Sequence, residues 1–207
     1  ENLTSYQEAR VKMELADILV FDEKFNQALI YYSQIQKKVQ NDILAQEARF
    51  KVAQTSYFKG DFEWAQIQLD VLRKSASQLI ANDAMQLSLM IHDNSLEDST
   101  QTALKKYAKA DLMVFQNKNK EAIEALDDIM TNHKGENIED EALLKQAELY
   151  EKTLQYSKAE ANYLKLIEFY NEDILADDAH FRLGKLYENK LQEPEKAKEL
   201  YEQIIFN

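Results

Sequence analysis

Residue types that carry chemistry in proteins are few in this sequence, and their spacing matches no metal site. Histidine occurs three times, as His92, His133 and His180. None stands in an H-E-x-x-H pattern and none has a second histidine on the same predicted helix, so a zinc ion would lack ligands. His92-Asp93 resembles the centre of a metal-dependent HD hydrolase motif, but the other ligands of that motif have no counterpart. We predict no metal site. We expect His92 to lie at a helix C-terminus, where a positive charge interacts favourably with the helix dipole.

Acidic side chains form three clusters, but their positions do not favour general acid–base catalysis. The clusters are Asp127-Asp128, Glu139-Asp140-Glu141 and Asp177-Asp178. The last two stand at predicted helix starts, where negative charge offsets the dipole. The first stands within a helix, where neighbouring residues point about 100° apart and do not converge. The sequence also lacks cysteine, P-loop, G-x-G-x-x-G and G-x-S-x-G patterns. We therefore predict a protein that is not an enzyme, with no catalytic residue and no cofactor.

The overall composition indicates an all-helical, acidic protein. Only three glycines and one proline occur in 207 residues, and β-hairpins need such turn residues. The net charge of −12, without a basic cluster, argues against nucleic acid as a partner. No apolar run approaches the roughly 18 residues that a membrane span requires. We predict the all-α class, with no nucleic-acid binding and no membrane span.

An internal repeat runs through the sequence. Its most regular mark is an alanine near the start of every second predicted helix, at positions 28, 65, 122, 159 and 197, with intervals of 37, 57, 37 and 38 residues. The interval of 57 leaves room for one extra helix. Twelve residues before the first four alanines stands another alanine, and Gly184 precedes Ala197 by thirteen. We expect one extra residue in the last inter-helix turn.

The spacing predicts pairs of helices that cross closely at these small residues. Larger apolar residues stand four and seven positions after each alanine, as Tyr32 and Ile35 do in the first unit. They form one stripe on the second helix of each pair, and a lone pair cannot bury it. The predicted pairs are 5–21 with 24–39, 43–58 with 61–75, 99–117 with 119–132, 138–152 with 156–170, and 174–189 with 194–206. An extra, unpaired helix is predicted at 77–92, followed by a loop in which Ser99 or Thr100 caps the next helix. A second loop is predicted around Gly135.

This register resembles the tetratricopeptide repeat (TPR). The segment Lys59-Gly60-Asp61-Phe62-Glu63-Trp64-Ala65 is similar to the turn of that family, whereas Asn117, Asn119 and Pro194 depart from it. The resemblance implies a right-handed α-solenoid of about five TPR-like helix pairs plus one extra helix. The predicted divisions are 1–75 (repeats 1 and 2), 76–98 (extra helix and loop) and 99–207 (repeats 3 to 5). The chain ends in an apolar run at 204–207, so we expect the full-length protein to continue past Asn207 and to begin before Glu1.

The resemblance also implies where a partner binds. In the family, the first helices of the pairs line a concave groove, and the matching positions contain apolar, aromatic and acidic side chains. The predicted groove residues are Met13, Asp17, Phe21, Phe50, Gln54, Tyr57, Phe58, Tyr107, Asp111 and Val114. Later units are more acidic, with Glu141, Glu148, Glu151, Asp178 and Glu188 beside Lys185. The lysines and asparagines that clamp a C-terminal carboxylate in chaperone-type repeats are missing, so no such clamp is expected. The alternative is that Phe50 and Tyr107 pack between repeats.

The leading hypothesis is a non-catalytic scaffold that binds a peptide or helix of a partner protein. The alternatives are a helical accessory domain of a larger enzyme and a solenoid that self-assembles as a homo-oligomer. The period of about 37 residues, against the usual 34, resembles outer-membrane assembly lipoproteins and periplasmic cell-division coordinators of bacteria. That resemblance favours the periplasm or the cell envelope, and a cytoplasmic location stays open.

Overall fold

The structure, a computed structural model, describes residues 3–40, 42–75, 77–95, 100–170 and 174–206. Every regular element in these ranges is a helix, which confirms the all-α prediction. The chain forms two compact units, Glu1–Gln116 and Asn117–Asn207. The helices of unit 1 are α1 (Ser5–Phe21), α2 (Phe25–Lys38), α3 (Ile43–Lys59), α4 (Phe62–Ser75), α5 (Gln78–Asp93) and α6 (Thr102–Phe115). Those of unit 2 are α7 (Asn119–Asn132), α8 (Ile138–Lys152), α9 (Tyr156–Phe169), α10 (Ile174–Leu186) and α11 (Pro194–Phe206).

Local capping interactions fix several helix ends near the predicted positions. The Thr4 hydroxyl accepts a hydrogen bond from the Gln7 backbone N–H at 3.2 Å, and the Gln7 side chain accepts one from the Thr4 N–H at 2.9 Å. This capping box satisfies two N–H groups that have no partner inside α1. Asp42 caps α3 through the Leu44 N–H at 2.8 Å. Gly60 ends α3 with φ at +81°, a conformation that glycine adopts without steric cost.

A left-handed residue stands at the same repeat position five times. Each lies five residues before a repeat alanine, in the turn that leads into the second helix of a pair. The positions are Glu23, Gly60, Asn117, Leu154 and Gln192, with φ between +57° and +81°. Asn117, which departs from the family pattern, still adopts the backbone conformation that the turn requires. The left-handed residues therefore recur at a fixed distance from the repeat alanines, so the repeat in the sequence is also a repeat in backbone conformation.

In unit 1, successive helices pack against one another from α1 to α5. Ala16 on α1 and Ala28 on α2 are fully buried, as the close helix crossing requires. The helix predicted as unpaired, α5, packs against α4. Its Ser88 backbone carbonyl accepts from the Gln66 side chain at 3.1 Å, and its hydroxyl accepts from Arg73 at 3.2 Å. The helix after it, α6, packs on α3.

Unit 2 repeats this packing from α7 to α11. Ala147 and Ala159 are fully buried at one crossing, and Gly184 lies at the next. A Cβ atom added to Gly184 would lie 2.4 Å from the ring of Tyr201, so an alanine there would force this ring to move. Gly135, with φ at +83°, lies in the predicted loop between α7 and α8.

Two details of the sequence prediction were wrong. The extra residue of the last pair does not lengthen the turn. It widens the end of α10 into a π-helical segment, Tyr187–Leu191, because a π turn takes up one more residue than an α turn. Thr100 does not cap α6, which begins at Thr102 after the left-handed Gln101, and Ser99 lies outside the described residues. The compact units group α5 and α6 with the first two pairs, and the predicted division of the chain at 75 and 98 stays a prediction.

Candidate protein-interaction site

All ten predicted groove residues belong to unit 1, and α6 brings members of the set into direct contact. We call the surface of α1 and α3 that carries Met13, Asp17, Phe21, Phe50, Gln54, Tyr57 and Phe58 the first-helix face. The Tyr57 hydroxyl on α3 donates to the Asp111 carboxylate on α6 at 2.9 Å. The rings of Phe58 and Phe115 lie 5.9 Å apart between the same two helices. One edge of the first-helix face therefore binds an amphipathic helix of the chain itself.

A charged network crosses the first-helix face. The Asp17 carboxylate accepts a hydrogen bond from the Tyr32 hydroxyl at 2.5 Å and pairs with the Lys51 ammonium at 3.3 Å. The same ammonium lies 5.7 Å from the ring centre of Phe115 on α6, within the range of a cation–π contact. Lys51 thus contacts both α1 and α6 from its place on α3. Because Asp17 already has two partners, a cation from another protein would compete with Lys51.

Gln116, which follows α6, is a further residue of this interface. Its side-chain amide donates to the backbone carbonyl of Phe21, the last residue of α1, at 2.8 Å and to the Glu23 carboxylate at 3.1 Å. A carbonyl at a helix C-terminus has no partner inside its helix. Gln116 supplies that partner and fixes the end of α6 on the end of α1.

The ten predicted residues divide into buried and accessible ones. Met13, Tyr57 and Tyr107 are buried. Phe21 is 45% exposed. The other six are half-buried: Asp17, Phe50, Gln54, Phe58, Asp111 and Val114. Side chains that can still meet a partner therefore border the α6 contact.

Unit 2 contains the same cross-repeat ion pair in the same register. Arg182 on α10 pairs with Glu148 on α8 at 2.8 Å, which matches Lys51 on α3 with Asp17 on α1. Each cation stands three residues after a buried alanine of its helix, and each carboxylate directly follows the repeat alanine of its own. The predicted acidic character of the later units is therefore partly neutralised within the chain.

Tyrosines of the second helices complete this pattern. Tyr32 and Tyr163 stand four residues after the repeat alanine and are fully buried, and the Tyr163 hydroxyl donates to Glu151 on α8 at 2.5 Å. Burial, and then the carboxylate that accepts the hydrogen bond, raises the pKa of both phenols well above the usual value of 10.0. Both tyrosines thus stay neutral and join the two helices of a pair.

The three histidines each lie within hydrogen-bond distance of an oxygen atom of the chain itself. His92, at the end of α5, lies 3.0 Å from the Asp93 carboxylate, and His133 lies 2.9 Å from Glu136. His180 lies 2.8 Å from the backbone carbonyl of Ala176. Among the described residues no three His, Cys, Asp or Glu side chains are grouped to hold a metal ion. None of the helices in the described ranges combines the length and the apolar character that crossing a bilayer demands.

Sequence reasoning missed Lys51 and Gln116. Lys51 shares its repeat position with Arg182, and each directly follows a phenylalanine. That recurrence was a usable signal for the ion pair. Gln116 has no counterpart in the register, because its role depends on the placement of α6 against α1.

The fold is an all-helical repeat in which small residues lie at the crossings of successive helices. Residues 141–170 and 178–205 match the family model of the tetratricopeptide repeat. Both matched segments lie in unit 2, and they agree there with the repeat that the spacing of the alanines predicted. Repeats of this family support a role as a protein–protein interaction scaffold.

Two solved structures are similar to the chain at low identity. MamA from Desulfovibrio magneticus RS-1, from residue 41 to its end, is 15% identical over 95% of this chain and 93% of that chain, with a TM-score of 0.46. A MamA RS-1 double mutant is 14% identical over 95% and 92%, with a TM-score of 0.45. At these TM-scores the likeness carries no argument about function. No curated protein matches the sequence.

Proposed function

We propose that this protein is a non-catalytic scaffold whose first-helix face binds a peptide or helix of a partner protein. The observation that carries the proposal is the contact of α6 with α3. It combines a ring pair, a partly buried tyrosine–carboxylate hydrogen bond and a cation over a ring, so the surface is complementary to an amphipathic helix. A partner segment would use the same kinds of contact beside α6.

The accessible part of the first-helix face sets the chemistry of that segment. Phe21 offers an exposed ring and Phe50 a half-buried one, and Gln54 offers an amide one helical turn after Phe50 on α3. Apolar anchors of a partner would bury these rings, and aromatic residues contribute strongly to interfaces. A lysine or arginine of the partner would replace Lys51 at Asp17. The segment therefore has apolar anchors and at least one positive charge.

The test uses Phe21 and Phe50, because Tyr57 is only 1% exposed and its loss would disturb the α3–α6 contact. A photoreactive phenylalanine analogue at position 50 of the full-length protein should cross-link a partner in the producing cell. The same analogue at Ile30, which is 58% exposed on α2, is the matched control. The partner's segment should bind Phe21→Ala and Phe50→Ala variants at least tenfold more weakly.

Phe169→Ala, which removes a ring that is 69% exposed on α9, should leave that affinity unchanged. Circular dichroism checks that each variant stays helical. Equal cross-linking at positions 30 and 50, or wild-type affinity of both phenylalanine variants, would exclude the first-helix face as the binding surface.

Self-assembly is a second candidate, and an apolar stripe on α1 favours it. Val11, Leu15 and Ile18 are 58%, 38% and 59% exposed. The equivalent residues of α3 are Ala48, Val52 and Thr55, and all three are buried. Helix α2 packs against α3. A helix of a second copy, placed on α1 as α2 is placed on α3, would cover the stripe. Light scattering should then give a mass that rises with concentration, and Ile18→Glu should abolish the rise. A constant monomer mass would exclude self-assembly.

A further inference from the structure

A second surface of unit 1 has the form of a binding cleft and lies apart from the first-helix face residues. The cleft lies between α2 and α4 with residues of α3 between them, and its volume is about 820 Å³. That volume is within the range of pockets that hold small ligands or short peptide segments, about 300–1,000 Å³. Leu29 and Lys37 line it from α2, Trp64 and Val71 from α4, and Arg49 from α3.

The charge of this cleft is opposite to that of the whole protein. The lining contains two cations, Lys37 and Arg49, and one carboxylate, Asp42, in a chain of net charge −12. The Asp42 carboxylate already accepts a hydrogen bond from the Leu44 N–H at 2.8 Å. In the described parts of the chain neither cation forms an ion pair, unlike Lys51 at Asp17 and Arg182 at Glu148. Two cations are thus left to meet negative charge from outside.

The apolar and amide groups of the cleft fit a peptide. Trp64 is 46% exposed and Val71 is 41% exposed on one wall, so an apolar side chain can be buried there. Glutamine side chains supply donors and acceptors that can pair with peptide backbone groups, and Gln36 and Gln40 line the cleft with accessible side chains. Gln46 and Gln68 also line it, but Gln68 is buried and the Gln46 Oε1 atom already accepts from the Ser77 N–H at 2.7 Å. Tryptophan and arginine are the residue types most enriched at the energetic centres of protein interfaces.

We propose that the α2–α4 cleft binds an acidic peptide segment, with its carboxylates at Lys37 and Arg49 and an apolar side chain against Trp64. A carboxylate between an arginine and a lysine gains charge-assisted hydrogen bonds. The rest of the acidic surface repels such a segment, which restricts it to this cleft. The preference is opposite to that of the first-helix face, where a positive charge would meet Asp17.

The experiment uses a pool of random twelve-residue peptides without tryptophan, selected against the full chain. Enriched peptides should contain an excess of Asp and Glu beside an apolar residue. Because Trp64 is the only tryptophan, its fluorescence reports on the cleft directly. Binding of each acidic peptide should shift Trp64 emission, and the affinity should fall as NaCl increases, since partly exposed charges are screened.

Charge reversal tests the assignment of the two cations. Lys37→Glu/Arg49→Glu should weaken the acidic peptides at least tenfold, and the milder Lys37→Gln/Arg49→Gln should weaken them in the same direction. Lys120→Glu/Lys198→Glu makes the same change of net charge at side chains that are 87% and 69% exposed, and should leave affinity within twofold. A pool without acidic enrichment, unchanged Trp64 emission, or equal loss in the control variant would overturn the proposal.

Discussion

Leu154 occupies a turn position whose backbone suits glycine. Its φ is +61° and its side chain is 71% exposed, so the left-handed conformation is not offset by burial. That conformation costs a non-glycine residue roughly 1–2 kcal/mol, whereas glycine loses about 0.5–1 kcal/mol more in ordering its backbone. We expect Leu154→Gly to raise the free energy of unfolding by about 0.5–1 kcal/mol in urea titrations. Ala161→Gly, at an exposed position in the middle of α9, should lower it by about 1 kcal/mol. Stabilities that fall equally in both variants would contradict this account of the turn.

Gly184 has a different requirement, which is space rather than backbone conformation. An added Cβ would meet three ring atoms of Tyr201 at 2.4–3.0 Å. We expect Gly184→Ala to destabilise the protein by about 1–3 kcal/mol, as overpacking does, measured by urea unfolding. In a Tyr201→Leu background, where the ring is gone, the same Gly184→Ala change should destabilise the protein by less. A Gly184→Ala variant as stable as the wild type would contradict the close crossing of α10 and α11.

Because of Tyr32 and Tyr163, we expect the free energy of unfolding to fall at alkaline pH. Burial and a carboxylate partner raise the pKa of each phenol above its usual 10.0. Above pH 10 the unfolded chain loses these protons while the folded chain keeps them, so the free energy of unfolding falls as pH rises. We expect a late phase in the phenolate absorbance at 295 nm that coincides with loss of helical circular dichroism. Tyr32→Phe should reduce its amplitude, and a single early phase in the folded protein would contradict this prediction.

At the scale of helices, the placement of α6 is the feature that distinguishes unit 1 from a plain run of pairs. Phe115 contacts both Phe58 and Lys51 of α3, and such aromatic pairs contribute about 0.5–1.5 kcal/mol. We expect Phe115→Ala to increase hydrogen exchange of the α6 amides more than that of α3. The exposed Phe169→Ala serves as control and should leave α6 unchanged. Equal protection of α6 in wild type and Phe115→Ala would mean that this contact does not hold the helix.

The helices were predictable because every repeat carries the same local information. An alanine and an apolar stripe recur in register, and the observed helices begin and end within a few residues of the predicted ones. The π-helical end of α10 was not predictable from Gly184 alone. The sequence indicated one extra residue, but whether it enters the turn or the helix depends on how α10 and α11 pack.

The candidate site was predictable only in part. The repeat register selected both Tyr57 and Asp111, and their side chains are hydrogen-bonded to each other. That this face binds a partner stays a prediction. Which of them remain accessible could not be known, because the burial of Tyr57 and Tyr107 depends on where α6 lies after the extra helix α5. The α2–α4 cleft could not be predicted from the sequence for a related reason. Lys37, Arg49 and Trp64 stand far apart in sequence, and their shared surface exists only after three helices have packed.

At the scale of the whole molecule, charge repulsion is the property with the clearest measurable effect. The chain has 37 acidic and 25 basic residues, and its ion pairs are mostly at the surface, where each contributes only about 0–1 kcal/mol. Repulsion between excess carboxylates opposes the compact state, and salt screens it over roughly 10 Å at 0.1 M. We expect the melting temperature at pH 7 to rise between 10 and 200 mM NaCl, and equally in KCl, since screening does not depend on the cation. A melting temperature that falls with either salt would mean that attractive pairs, such as Arg182 with Glu148, outweigh the repulsion.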